Sequence, residues 1–282
     1  MEEDVKKPLI KLGLAMPCDR FVSTRTFLSF DALKSACDDS KNIENGKRDY
    51  EFQYLITDGK PIDYSRNRLV ENFLYSGVDW ILFVDSDQTF DYQMVERLFD
   101  VIDEVKKKTD EDIFIIGPMN YQAFPPFRLS ARLLDSKSGT YSYINSLDNV
   151  NEFGLQEVDM LGTGVLLVHT SVFHKIKDEG LAPQNHWFEF WHDPESKQLF
   201  GEDMMFCRKA KQCNYKIYLD TLNRKVRHIT PHGIGYEAFE YNMMKFKELE
   251  NYKAGMKDLK DKMVEDTKFD ALEEFNDEHE VK

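Results

Sequence analysis

Short apolar runs alternate along the chain with segments in which apolar residues recur every three or four positions. Continuous apolar runs predict buried strands, and the three-to-four spacing predicts amphipathic helices. Strands are predicted at Leu9–Met16, Glu51–Thr57, Trp80–Val84, Ile113–Met119 and Gly164–Val168, and helices over Phe27–Ala36, Tyr64–Tyr75 and Met94–Lys106. This alternation predicts an α/β fold with a central, mostly parallel sheet flanked by helices.

Two later segments depart from this rhythm. Between Tyr121 and Val150 the pattern loosens around Pro125-Pro126, which predicts hairpins or loops inserted on one face. After Val168 a helix is predicted to begin with Thr170 or Ser171 as its N-cap.

Beyond residue 236, helical spacing returns within a charged segment at Phe239, Met243, Phe246, Leu249, Tyr252, Met256, Leu259 and Met263. That stripe predicts an amphipathic C-terminal helix. Part of it has heptad-like spacing, so the helix is also compatible with a homodimer contact.

Composition narrows the classes of protein that fit. The 282 residues include 37 Lys and Arg against 51 Asp and Glu, a formal charge of −14, which argues against non-specific binding to nucleic acid or anionic membranes. The four cysteines lack Cys-x-x-Cys spacing, so a zinc knuckle is not indicated. No signal-peptide pattern and no apolar stretch of about 18 residues is present. We expect a protein without a membrane span in a reducing cytoplasm, or in the host cytoplasm if the protein is viral.

The predicted strand Trp80–Val84 ends in Asp85-Ser86-Asp87. In open α/β sheets the carboxyl ends of strands are where ligands bind. Carboxylate oxygens suit Mg²⁺ or Mn²⁺, which commonly combine one or two protein carboxylates with water and substrate phosphates. The motif therefore predicts a metal-diphosphate site. The alternative is an ordinary turn or helix cap, in which Asp is also common.

Gly201-Glu202-Asp203 opens a predicted helix. Acidic residues there either complement the helix dipole or supply a general base. Earlier in the chain, Asp63, Arg66 and Asn67 lie near a helix start, where an arginine can pair with phosphate oxygens. A solvent-exposed helix with scattered charges would show the same residues.

Gly162-Thr163-Gly164 precedes a strand. Its two glycines permit either a close backbone approach to a ligand or simply a tight turn. The sequence lacks the third glycine of a dinucleotide-binding motif and has no Walker phosphate-binding loop, so these two cofactor classes are disfavoured.

The order of these motifs resembles that of GT-A type nucleotide-sugar glycosyltransferases, especially glycosyltransferase family 2 and related phage enzymes. The resemblance covers roughly residues 9–235. Its pieces are Met16-Pro17, Asp63-Tyr64-Ser65-Arg66-Asn67-Arg68, Asp85-Ser86-Asp87, Gly162-Thr163-Gly164, Gly201-Glu202-Asp203 and a histidine on a late strand within Asp220–Ile229. It implies a Rossmann-like catalytic domain over residues 1–236, followed by the C-terminal helix and acidic tail over residues 237–282.

The resemblance also implies roles for individual residues. Asp87 and His228 would bind Mn²⁺ or Mg²⁺ together with Asp85, with His232 as the second choice for the histidine. Asp203 would be the base of an inverting transfer and Glu202 would orient the acceptor, although retaining enzymes share this fold. The nucleotide sugar would contact Pro17, Asp63, Arg66, Asn67, Asp85, Ser86, Gly162 and Thr163.

Two other functions remain open from the sequence. Asp85-Ser86-Asp87-Gln88-Thr89 also matches the Asp-x-Asp-x-Thr motif of haloacid-dehalogenase-like phosphatases, with Asp85 as nucleophile. A catalytically silent sugar-nucleotide-binding protein is the third class. For a transferase, the donor nucleotide and its sugar, hexose or pentose, stay open. The acceptor hydroxyl could belong to a glycan, a protein or a modified DNA base.

Overall fold

The computed structural model describes residues 7–40, 47–123, 126–135, 137, 139–194, 199–229, 235–236, 239–240, 243–245, 247 and 250. The chain divides into residues 1–239 and residues 240–282, and the fold below belongs to the first unit. His232 and most of the predicted C-terminal segment, including its homodimer contact, lie outside the described residues. Among the helices that are described, none is both long and apolar enough to cross a membrane.

The main elements follow the predicted order along the chain. They are β1 (Leu9–Met16), α1 (Thr24–Asp39), β2 (Asp49–Ile56), α2 (Ile62–Ser76), β3 (Trp80–Val84), β4 (Gln88–Thr89), α3 (Gln93–Thr109), β5 (Ile115–Pro118), β6 (Ala131–Leu134), β7 (Tyr141–Tyr143), β8 (Leu155–Val158), β9 (Met160–Leu161), β10 (Val165–His169), α4 (Thr170–Asp178), β11 (Trp191–His192), β12 (Leu199–Phe200), α5 (Glu202–Gln212), β13 (Ile217–Asp220) and β14 (Arg227–His228).

A seven-stranded sheet forms the centre of the fold, in the order β2-β1-β3-β10-β5-β13-β8. Strands β2, β1, β3, β5 and β13 run in one direction, and β10 and β8 run in the other. The predicted α/β class with a mostly parallel sheet is confirmed. Residues 81–84 of β3 are fully buried, as expected for a central strand covered on both faces.

The sheet places the two strongest sequence motifs side by side. Antiparallel β10 begins where β3 ends, with Val165 opposite Val84. The backbone N–H of Asp85 donates to the carbonyl of Gly164 at 2.9 Å. Because β10 runs antiparallel to β3, the start of β10 lies beside the end of β3. The Asp-x-Asp motif and the Gly-x-Gly turn therefore lie together at the carboxyl end of β3.

Smaller sheets complete this end of the sheet. β6 and β7 form an antiparallel hairpin that also pairs with β9, which confirms the predicted inserted hairpins. β4 pairs with β14, with Gln88 opposite His228. That short pairing carries the late histidine to the residues that follow β3.

One local prediction was wrong and another was right only in part. The N-cap of α4 is His169 rather than Thr170 or Ser171, because the strand continues to His169 and its imidazole Nδ1 accepts from the Ser171 N–H at 3.2 Å. The late histidine does lie on a strand, β14, but the segment Asp220–Ile229 is not one continuous strand. β13 stops at Asp220, where the buried carboxylate binds Arg97, and the chain then turns before β14.

Candidate active site

The guanidinium of Arg66 lies at the centre of a buried ionic cluster. One terminal nitrogen donates to Asp85 Oδ1 at 2.8 Å and the other donates to Glu202 Oε1. Arg66 is 3% exposed. Arg66 belongs to α2, Asp85 directly follows β3, and Glu202 is the first residue of α5. One side chain therefore joins three elements that are far apart in the sequence.

The carboxylates of this cluster outnumber its cation. Burial raises the pKa of Asp85, Glu202 and Asp203, and the charge of Arg66 opposes this in each case. Burial disfavours the charged form of Arg66, but Asp85, Glu202 and Asp203 more than offset that effect, so its pKa is raised. Because three acids share one guanidinium, the site attracts further positive charge.

A second polar pair lies beside the cluster. His228 Nε2 is 2.9 Å from Asp87 Oδ2, and His228 Nδ1 is 3.0 Å from the carbonyl oxygen of Tyr121. Nδ1 is also 3.0 Å from Gln88 Nε2. When Nδ1 accepts from Gln88, Nε2–H donates to Asp87. When Nδ1–H donates to the Tyr121 carbonyl, Nε2 points its lone pair at a carboxylate oxygen, and a proton or a cation between these two atoms stabilises the contact. Burial lowers the pKa of His228, but the hydrogen bond and charge of Asp87 outweigh it, so the net pKa is raised.

Asp87 and His228 fit a divalent cation as a two-residue ligand set. One carboxylate and one imidazole suit Mn²⁺ or Mg²⁺ sites in which water and substrate phosphates supply the remaining ligands. Over the described part of the chain, no three His, Cys, Asp or Glu side chains are grouped so that they could hold a metal ion. Asp85, the third predicted ligand, directs Oδ1 to Arg66.

Apart from Asp87, which contacts His228 from outside, these groups surround a cleft of about 470 Å³. It brings together most of the predicted site residues, namely Arg66, Asp85, Gly162, Thr163, Glu202, Asp203 and His228. Arg66 and Glu202, which pair directly here, lie 136 positions apart in the chain. The arrangement combines carboxylates, one fixed cation and a metal-compatible pair at the carboxyl end of a central strand, where ligands of α/β proteins bind.

The cleft also contains buried polar atoms without partners among the described residues. They are Gln88 Oε1, Asn120 Oδ1, Thr163 Oγ1 and Arg66 Nε. An unsatisfied buried polar atom costs about 1–3 kcal/mol. Their concentration at one cleft indicates that a polar ligand or water satisfies them.

Position 164 has room only for glycine, because the side-chain amides of Asn120 and Gln88 lie too close for a Cβ. A Cβ at this position would lie 2.4 Å from Asn120 Nδ2 and 3.3 Å from Gln88 Nε2. The sequence predicted a close backbone approach to a ligand or a tight turn; at Gly164 the groups that approach closely are side-chain amides that line the cleft. Gln88 and Asn120 were not among the site residues predicted from the sequence. The signal that could have found them is a polar residue shortly after a buried strand.

The other predicted contacts lie outside this cleft. Pro17 follows β1 and lines a separate pocket of about 450 Å³. Asp63 and Asn67 line another, and both polar atoms of the Asn67 amide bind the backbone of Phe188, at 2.7 and 2.9 Å. The backbone carbonyl of Ser86 accepts from the N–H of Ser23.

Comparisons with known proteins give only distant structural similarity. No protein-family model matches the chain, and no curated protein matches it. The crystal structure of a protein from STIV matches with a TM-score of 0.45 and 16% identity, covering 80% of this chain and 88% of that one. The catalytic domain of Drosophila β1,4-galactosyltransferase 7, in complex with xylobiose, matches with a TM-score of 0.40 and 13% identity, covering 79% and 72%.

Proposed function

We propose that this protein is a metal-dependent glycosyltransferase that moves a sugar from a nucleoside-diphosphate sugar to an acceptor hydroxyl. The observation that carries this proposal is that one cleft is lined by the Arg66-centred carboxylate cluster and by His228, which contacts Asp87. The cluster offers a base and the pair offers a cation site, which are the two groups that transfer from a diphosphate requires.

The Asp87–His228 pair would hold Mn²⁺ or Mg²⁺. The ion would stabilise the negative charge that develops on the departing diphosphate. The imidazole of His228 is held in place because its Nδ1 lies 3.0 Å from both the Tyr121 carbonyl oxygen and Gln88 Nε2. Asp85 and Ser86 connect β3 to Asp87 in the chain, and we assign them to the nucleoside side of the donor.

Asp203 is the proposed base. Its carboxylate takes the proton of the acceptor hydroxyl while the acceptor oxygen bonds to the anomeric carbon. The bond from that carbon to the diphosphate oxygen breaks, and its electron pair leaves with the nucleoside diphosphate. Attack opposite the leaving group inverts the anomeric configuration. Burial raises the pKa of Asp203, which makes this carboxylate a stronger base than an exposed one. Glu202, held by Arg66, would orient the acceptor.

The buried amide and hydroxyl groups of the cleft are suited to a sugar ring. Asn120 Oδ1, Gln88 Oε1 and Thr163 Oγ1 can each accept a hydrogen bond and have no partner among the described residues. Sugar hydroxyls are donors at several positions around one ring. We assign these three side chains and the Gly162 backbone to the transferred sugar, and the pocket beside Pro17 to the nucleoside.

A thermal-shift screen tests the donor site. Tight binding to the folded state raises the unfolding temperature by mass action. We expect one nucleoside diphosphate, or its sugar conjugate, to stabilise the protein in the presence of Mn²⁺ or Mg²⁺ but not EDTA, and Asp87→Ala to abolish that shift. No metal-dependent shift with any nucleotide would contradict the proposal. Release of phosphate from an aryl phosphate would favour the phosphatase alternative instead.

A further inference from the structure

Two arginines lie against the same tyrosine ring beside the cleft. The guanidinium carbons of Arg128 and Arg132 are 4.8 and 4.3 Å from the centre of the Tyr143 ring. The Tyr143 hydroxyl oxygen accepts from Arg132 at 2.7 Å and from the amide of Gln122 at 2.9 Å. The ring is therefore fixed from two sides, and it holds both cations in place. We call Arg128, Arg132 and Tyr143 the arginine-tyrosine cluster.

The cluster adjoins the proposed base. Gln122, which binds Tyr143, also lines the cleft. Arg132 lies opposite Met160 in the β6–β9 pairing, two residues before Gly162. Its charge also reaches Asp203: burial raises the pKa of that carboxyl, and Arg132 is among the groups that oppose the rise. An acceptor whose hydroxyl reaches Asp203 would have its remaining groups near these arginines.

The positive charge of Arg132 is not matched by a carboxylate hydrogen bond. Elsewhere, the buried or half-buried guanidiniums of Arg48, Arg66 and Arg97 each bind at least one carboxylate. Over the described residues, the hydrogen bond made by Arg132 goes to the neutral Tyr143 hydroxyl, and its buried Nε has no hydrogen-bond partner. Placing a second guanidinium on the same ring adds repulsion between like charges. An anion bound to these guanidiniums would offset both costs.

A third arginine extends this surface. The guanidinium carbon of Arg208 is 5.3 Å from the centre of the Trp191 ring. Trp191 contacts Phe200, which in turn contacts Tyr141, two residues from Tyr143 on β7. Arginines packed against aromatic rings thus recur around β7, in a protein whose formal charge is −14.

We propose that the acceptor carries an anionic group, phosphate or carboxylate, that binds to Arg128 and Arg132 next to the hydroxyl that reacts. Planar guanidiniums bind both groups through paired hydrogen bonds. This inference rests on the proposed function for its assignment of the ligand as acceptor. The anion site itself requires only the arginine-tyrosine cluster.

Binding of three matched sugars tests the site without donor or metal. The probes are glucose 6-phosphate, glucuronate and methyl glucoside, and binding to the full chain is followed by ligand-detected NMR titration. We expect at least one acidic probe to bind at least tenfold more tightly than methyl glucoside, and the two acids to show whether phosphate or carboxylate is preferred. Arg132→Gln should weaken the acidic probe about tenfold, as expected for loss of a charge-assisted hydrogen bond.

Controls separate charge from folding. Arg68→Gln removes an exposed arginine that pairs with Glu71 and should leave probe binding unchanged. Arg132→Lys keeps the charge but loses the geometry for paired hydrogen bonds. Arg128→Gln provides a second measurement if Arg132→Gln does not fold.

Three results would each overturn the inference: binding of the neutral probe as tight as that of the acids, no binding of either acid, or binding unaffected by a folded Arg128 or Arg132 variant. Nucleotide binding retained in that case would leave the proposed function standing. Acid-selective binding without any nucleotide binding would refute only the proposed function.

Discussion

His228 Nε2 lies 2.9 Å from Asp87 Oδ2, although 141 positions separate the two residues in the chain. The contact depends on the pairing of two very short strands, β4 and β14, which places Gln88 opposite His228. An Asp-x-Asp motif also occurs in ordinary turns. Here the contact adds an imidazole to it, which gives a pair of side chains suited to a divalent cation.

Removal of His228 should weaken metal binding. We expect His228→Ala to lower the affinity for Mn²⁺ by about 10- to 100-fold, because the remaining carboxylate loses its nitrogen partner. Electron paramagnetic resonance of free Mn²⁺ measures this directly, without turnover. His174→Ala is the matched control, since His174 is exposed on α4. Equal Mn²⁺ affinity in the two variants would show that His228 is not a ligand.

Asp203→Asn should nearly abolish transfer while sparing nucleotide binding. Loss of a general base lowers the rate by about 10²–10⁴-fold. Because burial raises the pKa of Asp203, we expect the acidic limb of the wild-type pH profile of kcat/KM to lie above 3.8, the ordinary value for an Asp carboxyl. Below that limb the base is protonated and inactive. Asp178→Asn, on the exposed end of α4, is the control. Full activity in Asp203→Asn would rule out this base.

Arg66 should contribute far more to stability than its neighbour Arg68. Arg66→Met leaves the carboxylates of Asp85 and Glu202 buried without their cation, which costs about 3–5 kcal/mol in the free energy of unfolding. Arg68→Met breaks only an exposed pair with Glu71 and should cost less than about 1 kcal/mol. Urea unfolding of the two variants gives the comparison. Similar losses in both would mean that the buried cluster does not stabilise the fold.

His169 should make stability depend on pH. Burial lowers the pKa of its imidazole below the ordinary 6.5, and the charges of Asp79 and Asp112 only partly oppose this. Above 6.5 the ring is neutral in both states and its contribution is complete. As the pH falls below 6.5, the unfolded chain takes up the proton first, so the free energy of unfolding decreases until the lower folded-state pKa is passed.

His169→Asn isolates this effect. Asn is a good N-cap, so the variant keeps the start of α4 but cannot titrate. We expect the unfolding free energy of the wild type, relative to that of the variant, to decrease between about pH 7.5 and 5.5, the range in which histidines change charge. Urea unfolding at the two pH values provides the measurement. If this difference were the same at both pH values, His169 would not be a source of pH-dependent stability.

Elements with strong periodicity could be predicted closely. The bounds of β1 and β3 match the predicted strands, and α1, α2 and α3 extend the predicted helices by a few residues. Each of these segments buries one face or both faces, so the spacing of its apolar residues indicates the type of element and its bounds. Strands of two residues, such as β4 and β14, have no periodicity to detect, because their formation depends on the partner that packs beside them.

The sequence by itself determined the α/β class, the order of the main elements and the presence of carboxylates at the end of a central strand. Burial of apolar side chains acts locally, so it leaves a readable pattern. Only the tertiary structure decided that Arg66 binds both Asp85 and Glu202, that His228 faces Asp87 and that Gln88 and Asn120 enter the cleft. These contacts come from strand order, register and the matching of buried charges between distant segments, and no local pattern specifies them.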